Sequence, residues 1–392
     1  MKKQISLFAL DLEEEAKKQF DACCSEPFVL SAALMPDAHT GYVAPIGSVL
    51  RTKGVLVPAW VGYDIGCGMI AGKIEGLSNL TLLKSKVQEI HSRVQKVIPM
   101  GKGKVNHPKD ISEESKKRFK ELVERFSLGT HDKSILRFLK TQALNHIGSL
   151  GDGNHFIELG LDEEEKELWL VIHSGSRGVG HTLAAHYMKK ASKGEKNFEA
   201  TFALDINSVE GQEYLNVLDF ALDFALLNRM EMAKKVTQVL SDLLGEELSF
   251  DLWVNKNHNH AVREKEGEDI FLHRKGATPA DKGERGVIPA SMKDGCFLVE
   301  GLGNADFLHS SSHGAGRKLS RGKARQQISL KQFQESMKNV CGSVLEATLD
   351  EAPQAYKNIG DVMKAQEKSV KVLKHIKPII NWKGYTVLRR SF

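Results

Sequence analysis

The sequence predicts a mixed α/β (α+β) fold, and two observations lead to it. Short apolar runs broken by glycine and proline recur through the chain, as in "FVLSAALMPDAHTGYVAPIGSVL" and "GVLVPAWVGYDIGCGMIAGKI". They read as strands joined by tight turns. Between them lies a long stretch of helical periodicity at 213–245, with Leu215, Leu218, Phe220, Ala221, Phe224, Leu227 and Met230 on roughly one stripe. No internal repeat, low-complexity tract or linker interrupts the 392 residues. We therefore expect one domain over 1–392, with central mixed β-sheets flanked by helices.

Residues 79–98 look helical. A highly charged segment, about 101–140, reads as a surface insertion. Within 101–125 the second half forms an amphipathic helix with Ser112 and Glu114 near its start. "HIGSLGDGNHFIELGL" and "ELWLVIHSGSRGVGHTL" each join an apolar strand run to a Gly-rich polar turn. Two further strand-and-turn segments fall around 251–275 and 286–303. A last helical stretch begins near 329, and "APQAYKNIGDVMKAQEKSVKVL" extends it after Pro353. The end of the chain, with a tail at 385–392, is basic and partly apolar.

Composition narrows the function classes. Apolar residues make up 41% and charged residues 27%, ordinary for a globular protein. A net charge of +5 permits a nucleic-acid partner without requiring one. The five cysteines include no CxxC pair, which excludes a zinc ribbon and suits a reducing cytoplasm. The N-terminus lacks the pattern of a secretory signal, and no apolar run approaches the ~20 residues of a membrane span, so no membrane partner is expected.

Histidines gather in Gly-rich turns at the ends of apolar runs: His39, His155, His173 and His313, with His258 and His260 in "NKNHNHAV". Strand-end loops are where sites are built. Asp64 and Cys67 stand three apart in "VGYDIGCGM". On a flat strand they would face opposite ways, so they converge only if Gly66 and Gly68 turn the chain. Asp, Cys and His together suit Zn, Mn, Fe or Co. His258 and His260 would share a strand face, and either could be a ligand. Turns such as "HSGSRGVGH", "HRKGATPADKGERG" and "GAGRKLSRGKAR" pair exposed backbone amides with Arg or Lys, a phosphate-binding chemistry, although no Walker A loop is present. Metal ligands with phosphate-type turns point to phosphoryl or nucleotidyl transfer.

In this order, "MPDAHTGYVAPIGSV", "GYDIGCGM", "GSLGDGNHFIE", "IHSGSRGVGH", "HNHAVREK", "GVIPASM", "SHGAGRKLSR" and "APQAYK" resemble the RtcB family of RNA-splicing ligases, over about residues 30–384. The resemblance implies an RNA ligase that uses GTP and two Mn²⁺ ions. It would join a 2′,3′-cyclic phosphate or 3′-phosphate end to a 5′-hydroxyl, in RNA repair or tRNA splicing, as a monomer. Cys67 would bridge the two ions, with Asp64 and His155 on one and His173 and His258 on the other. His313 would be the nucleophile, guanylylated on its ring, and Asp37 would orient it. Asn154, Glu158, Ser291, Cys296, Gly314, Gly316, Tyr356 and Lys383 would surround the nucleotide. Arg177, Lys275, Arg317 and Arg321 would hold phosphates or RNA backbone. The chain departs from the family pattern at Ala290, at Thr278 and at Cys296, where relatives carry a serine; an altered guanosine pocket follows as an expectation. The alternatives are a metal-dependent phosphoesterase or nuclease that lacks guanylylation, and a non-catalytic RNA-binding protein.

Overall fold

The computed structural model describes residues 3–130 and 132–385. Two sheets organise the chain. The smaller runs in the order Gln4–Leu7, Val29–His39, Ile46–Lys53, Ile270–Lys275, Asn259–Arg263. Its first pair is parallel and the others antiparallel. The larger runs Arg285–Pro289, Cys296–Gly301, Val370–Lys383, Phe156–Asp162, Leu168–Ser174, Gly68–Glu75, Ser249–Asn257, antiparallel along this path, with the short Cys341–Gly342 added in parallel to Val370–Lys383. The predicted mixed α/β class is what the chain adopts.

The periodic stretch seen from 213 is a helix of 36 residues, Val209–Leu244. Its start is fixed by Ser208, whose side chain accepts from the Gly211 amide, and it stops at Gly245 in the left-handed region (φ 68°). Its apolar face buries Val217, Phe220, Phe224 and Val236 against the sheets and neighbouring helices. Truncating one such phenylalanine to alanine costs about 3–5 kcal/mol.

Three expectations change, and the charged segment keeps its helix. The charged segment does form its helix, Glu113–Leu128, capped by Ser112. Its apolar face is packed into the body: Phe119, Val123 and Phe126 pack with Phe220 and Phe224, joined by Ile135 and Leu139 of the helix Lys133–Thr141. Glu231 of the long helix ties it down by accepting from both Ser112 Oγ (2.7 Å) and Ser115 Oγ (2.8 Å). The turn after His173 leads directly into an unexpected helix, Arg177–Ala191, whose apolar positions Val179, Leu183, Ala184, Tyr187 and Met188 follow helical spacing. The helix expected to continue past Pro353 is only the short piece Ile359–Ala365. Beyond it, Val370–Lys383 is a 14-residue strand inside the larger sheet. Pro378, which has no amide proton, is accommodated at a register shift against Phe156–Asp162. The expected tail lies outside the described residues except for Tyr385.

Candidate active site

The putting together of the site starts with a turn. Gly66 has φ +76°, and a Cβ there would meet the Ala221 carbonyl oxygen at 2.8 Å. That turn brings Asp64 and Cys67 to one side, closed by the Cys67 amide donating to the Asp64 carbonyl (3.0 Å). The adjacent strands supply the rest. His155 precedes Phe156–Asp162, His173 lies on Leu168–Ser174, and His258 sits between Ser249–Asn257 and Asn259–Arg263. Because the chain changes sheet at His258, strand alternation does not govern the pair His258 and His260. Only His258 faces Cys67; His260 lies 3.3 Å from the buried Arg274 guanidinium.

Cys67 Sγ lies 3.3 Å from both His155 Nε2 and His173 Nε2. His173 Nε2 is 3.2 Å from His258 Nε2, and His155 Nε2 is 3.0 Å from Asp64 Oδ2. Two ligand triads result, Asp64–Cys67–His155 and Cys67–His173–His258, with the thiol common to both. Burial pushes the Cys67 thiol well above its ordinary range, with the Asp64 charge adding to the effect. Burial also pushes His173 and His258 well below theirs, and neighbouring histidines add to it. Asp64 is raised by burial but pulled below its ordinary value by His155. Neutral imidazoles present lone pairs, and a buried thiol needs a cation to ionise. The donor set therefore fits transition-metal ions, and Cys67 belongs to both triads.

A residue not anticipated from the sequence supports this cage. Arg229, fully buried on the long helix, donates to the carbonyls of Gly66 (3.2 Å) and Ser174 (2.7 Å). Its other nitrogen donates to Asn255 Oδ1 (2.8 Å) and Asn257 Oδ1 (2.9 Å). One guanidinium thus links the Cys67 turn to the strand ends bearing His173 and His258.

Beside the cage opens a cavity of about 360 Å³, within the range of small-molecule sites. It is lined by His173 and His313 at one end and by Glu158, Asn381, Lys383 and Tyr356 elsewhere. Asn154, Ser291, Gly314, Gly316, Arg317 and Arg321 also line it. The His313 ring is 4.9 Å from that of His258, so it borders both cage and cavity. Its Nδ1 is 2.6 Å from Oδ2 of the fully buried Asp37, without the alignment of a hydrogen bond. Gly316 (φ +71°) must lack a side chain, since a Cβ would lie 2.2 Å from the Asp37 carbonyl oxygen.

Glu158 is buried, and burial raises its carboxyl to about 7 despite donors from Asn381 (2.8 Å) and the Cys296 thiol (3.3 Å). Cys296 was expected to touch the nucleotide. It is absent from the cavity wall and sits behind Glu158 instead. A second unanticipated residue is Glu351, which holds Lys383, Arg317, Arg321 and Tyr356 together. Arg317 and Arg321 are thus already paired, and Arg317 lies over the Tyr356 ring at 5.2 Å. Arg177 is buried near the cage, donating to Ser149 Oγ at 3.4 Å. Lys275 does not join the site. It is buried against Ala59 and Gly62, away from the cavity wall, and burial lowers its amine to about 8.

Comparison with known proteins identifies the family. The family described as "tRNA-splicing ligase RtcB" matches residues 19–384. The RNA-splicing ligase RtcB of Escherichia coli K12 is 35% identical, with 95% of each chain covered. The tRNA-splicing ligase RtcB of Methanococcus maripaludis is 29% identical, covering 95% of this chain and 92% of its own. With a family match across nearly its whole length, this chain belongs to the RtcB family of RNA-splicing ligases.

Proposed function

We propose that this protein is a GTP-dependent ligase that joins RNA ends bearing a 2′,3′-cyclic phosphate or a 3′-phosphate to 5′-hydroxyl ends, the whole chain acting as one monomeric catalytic domain. The observation that carries the reading is the position of His313, between the ligand cage and the nucleotide-sized cavity, with Asp37 against its Nδ1. Asp64, Cys67 and His155 would hold one manganese ion and Cys67, His173 and His258 a second; when bound, they supply positive charge opposite the phosphates.

With the Asp37 carboxylate 2.6 Å from Nδ1, the ring proton is held on that side once the ring aligns, and the Nε2 lone pair of His313 is left free. Nε2 attacks the α-phosphorus of GTP, an N–P bond forms, and pyrophosphate leaves. Glu158, when ionised, accepts from the guanine edge, Tyr356 packs beside the base, and Lys383 closes the far end. Asn154, Ser291, Gly314 and Gly316 border the nucleotide. The RNA 3′-phosphate then takes GMP from His313, the 5′-hydroxyl attacks the activated phosphate, and GMP departs. A cyclic phosphate is first opened by water. Five unpaired cysteines suit the reducing cytoplasm.

The test is labelling with GTP carrying ³²P at the α-phosphate, in the presence of manganese. Label retained on denatured wild-type protein, acid-labile, alkali-stable and absent from His313→Ala, supports the reading. Metal-loaded protein that hydrolyses phosphodiesters and never takes label sinks it in favour of a phosphoesterase.

A further inference from the structure

Outside the nucleotide cavity, a surface groove of about 950 Å³ runs along the far side of the turn that follows Arg285–Pro289. The two share this turn as a wall. Ser291, Met292 and Gly295 line the cavity, while Lys293 and Asp294 line the groove. The opposite bank is the helix Leu330–Ser336, which presents Lys331 to the groove and buries Phe333 in the same apolar cluster as Met292. Lys338 and Lys377 continue the groove into a neighbouring depression that adds Lys84 and Lys166.

The charge balance is one-sided. Lys293 and Lys331 form no ion pair among the described residues. Lys338 pairs with Glu335 and Lys377 with Glu163, but all four side chains are at least half exposed. Such pairs exchange readily for another anion. The Asp294 carboxylate is turned to Ser291 Oγ (2.6 Å). On the floor, Phe297 and His375 are cross-strand partners with rings stacked at 4.4 Å and 4°. His375 is held there by its Nε2, 2.7 Å from the Asp294 carbonyl oxygen. Both rings are partly exposed, so the stack offers a flat surface beside a row of lysines.

We propose that this groove binds the body of the RNA substrate, lysines following the phosphate backbone and the Phe297–His375 pair receiving an unpaired base. Lysines are point charges without base preference, and aromatic faces take any base, so the contact is independent of sequence. An acidic protein is the competing occupant. RNA is favoured because the groove adjoins the wall of the nucleotide cavity and combines flat rings with an excess of lysines. The inference rests on the proposed ligase activity.

The test compares wild type with Lys293→Glu/Lys331→Glu and the milder Lys293→Gln/Lys331→Gln, with thermal melts confirming the fold. Fluorescence anisotropy reads the affinity for two 3′-phosphorylated single strands, a hexamer and a chain of about thirty nucleotides, across a salt series. For the long RNA, the glutamate variant should bind about tenfold or more weakly, and its log–log salt slope should fall by about 1.4, roughly 0.7 for each lost phosphate contact on a single strand. The glutamine variant should lie between, and hexamer affinity should change far less. Unchanged long-RNA affinity and slope would overturn the proposal and turn attention to an acidic protein. Equal losses for both lengths would also overturn it, since the effect would then lie at the reacting end. Parallel labelling with GTP keeps the two readings separate: wild type that binds long RNA through these lysines but takes no label retains the groove and loses the ligase chemistry.

Discussion

Glu351 and Lys383 meet at 2.9 Å with side chains only 2% and 4% exposed. The same carboxylate accepts from Arg317 (3.1 Å), Arg321 (3.0 Å) and Tyr356 (2.5 Å). It thereby sets three cations and a phenol around one wall of the cavity. Glu351→Gln leaves buried cations under-compensated and should cost about 3–5 kcal/mol, read by urea unfolding at neutral pH.

The same residue sets an acid limit. Burial alone would raise Glu351, but Lys383, Arg321 and Arg317 bring it from 4.5 down to about 2. Its contribution is present above about pH 4.5 and is lost as pH falls toward 2, about 3 kcal/mol in all. Unfolding free energies at pH 7 and pH 3 should converge between wild type and Glu351→Gln; a constant gap across that range would contradict the assignment.

Nucleotide capture should depend on pH through Glu158. Burial raises its carboxyl to about 7, opposed by Asn381 and Cys296. If the ionised form accepts from guanine, labelling by GTP strengthens from pH 6 to pH 8. Cys296→Ala removes a donor to the carboxylate and should move the profile to higher pH. Cys296→Ser supplies a stronger donor and should move it lower. Initial labelling rates across a pH series would show either shift.

Cys67→Ala removes the one atom shared by the two triads. Manganese content, measured after gel filtration, should be about two ions per chain in wild type and below one in the variant. His258→Ala should cost one ion and leave the Asp64–Cys67–His155 set occupied. Full manganese content in Cys67→Ala would rule out a bridging thiolate.

Arg229 carries four hydrogen bonds on two nitrogens from inside a helix. Arg229→Met should destabilise by about 3–5 kcal/mol, and Arg229→Lys should recover little because an ammonium cannot span the acceptors as a planar fork does. Both losses would appear in thermal melts of metal-free protein.

The sequence carried the strand-end histidines, the Asp64–Cys67 turn, the Ser112 cap and most of the long helix, because each is written in local spacing. It did not carry Arg229 or Glu351. Their partners lie far away along the chain, and a charged residue in a helical stripe or beside Pro353 reads as solvated until the fold buries it. The strand Val370–Lys383 was missed because its lysine-rich first half, "VKVLK", looks like an exposed helix face. Its place between two strands decides otherwise. The sequence could not place Lys275, because a basic residue beside glycine looks the same whether it faces phosphate or a buried carbonyl.

The long helix has a consequence for how the cage keeps its shape. Gly66, Ser174, Arg229 and Asn257 come from four separate regions, and one guanidinium closes them into a cage. Closing those long loops costs chain entropy that the packing of the helix must offset. The cage is thereby tied to the seating of the long helix: a substitution that shifts the helix shifts the Cys67 turn and the strand ends beside His173 and His258 with it.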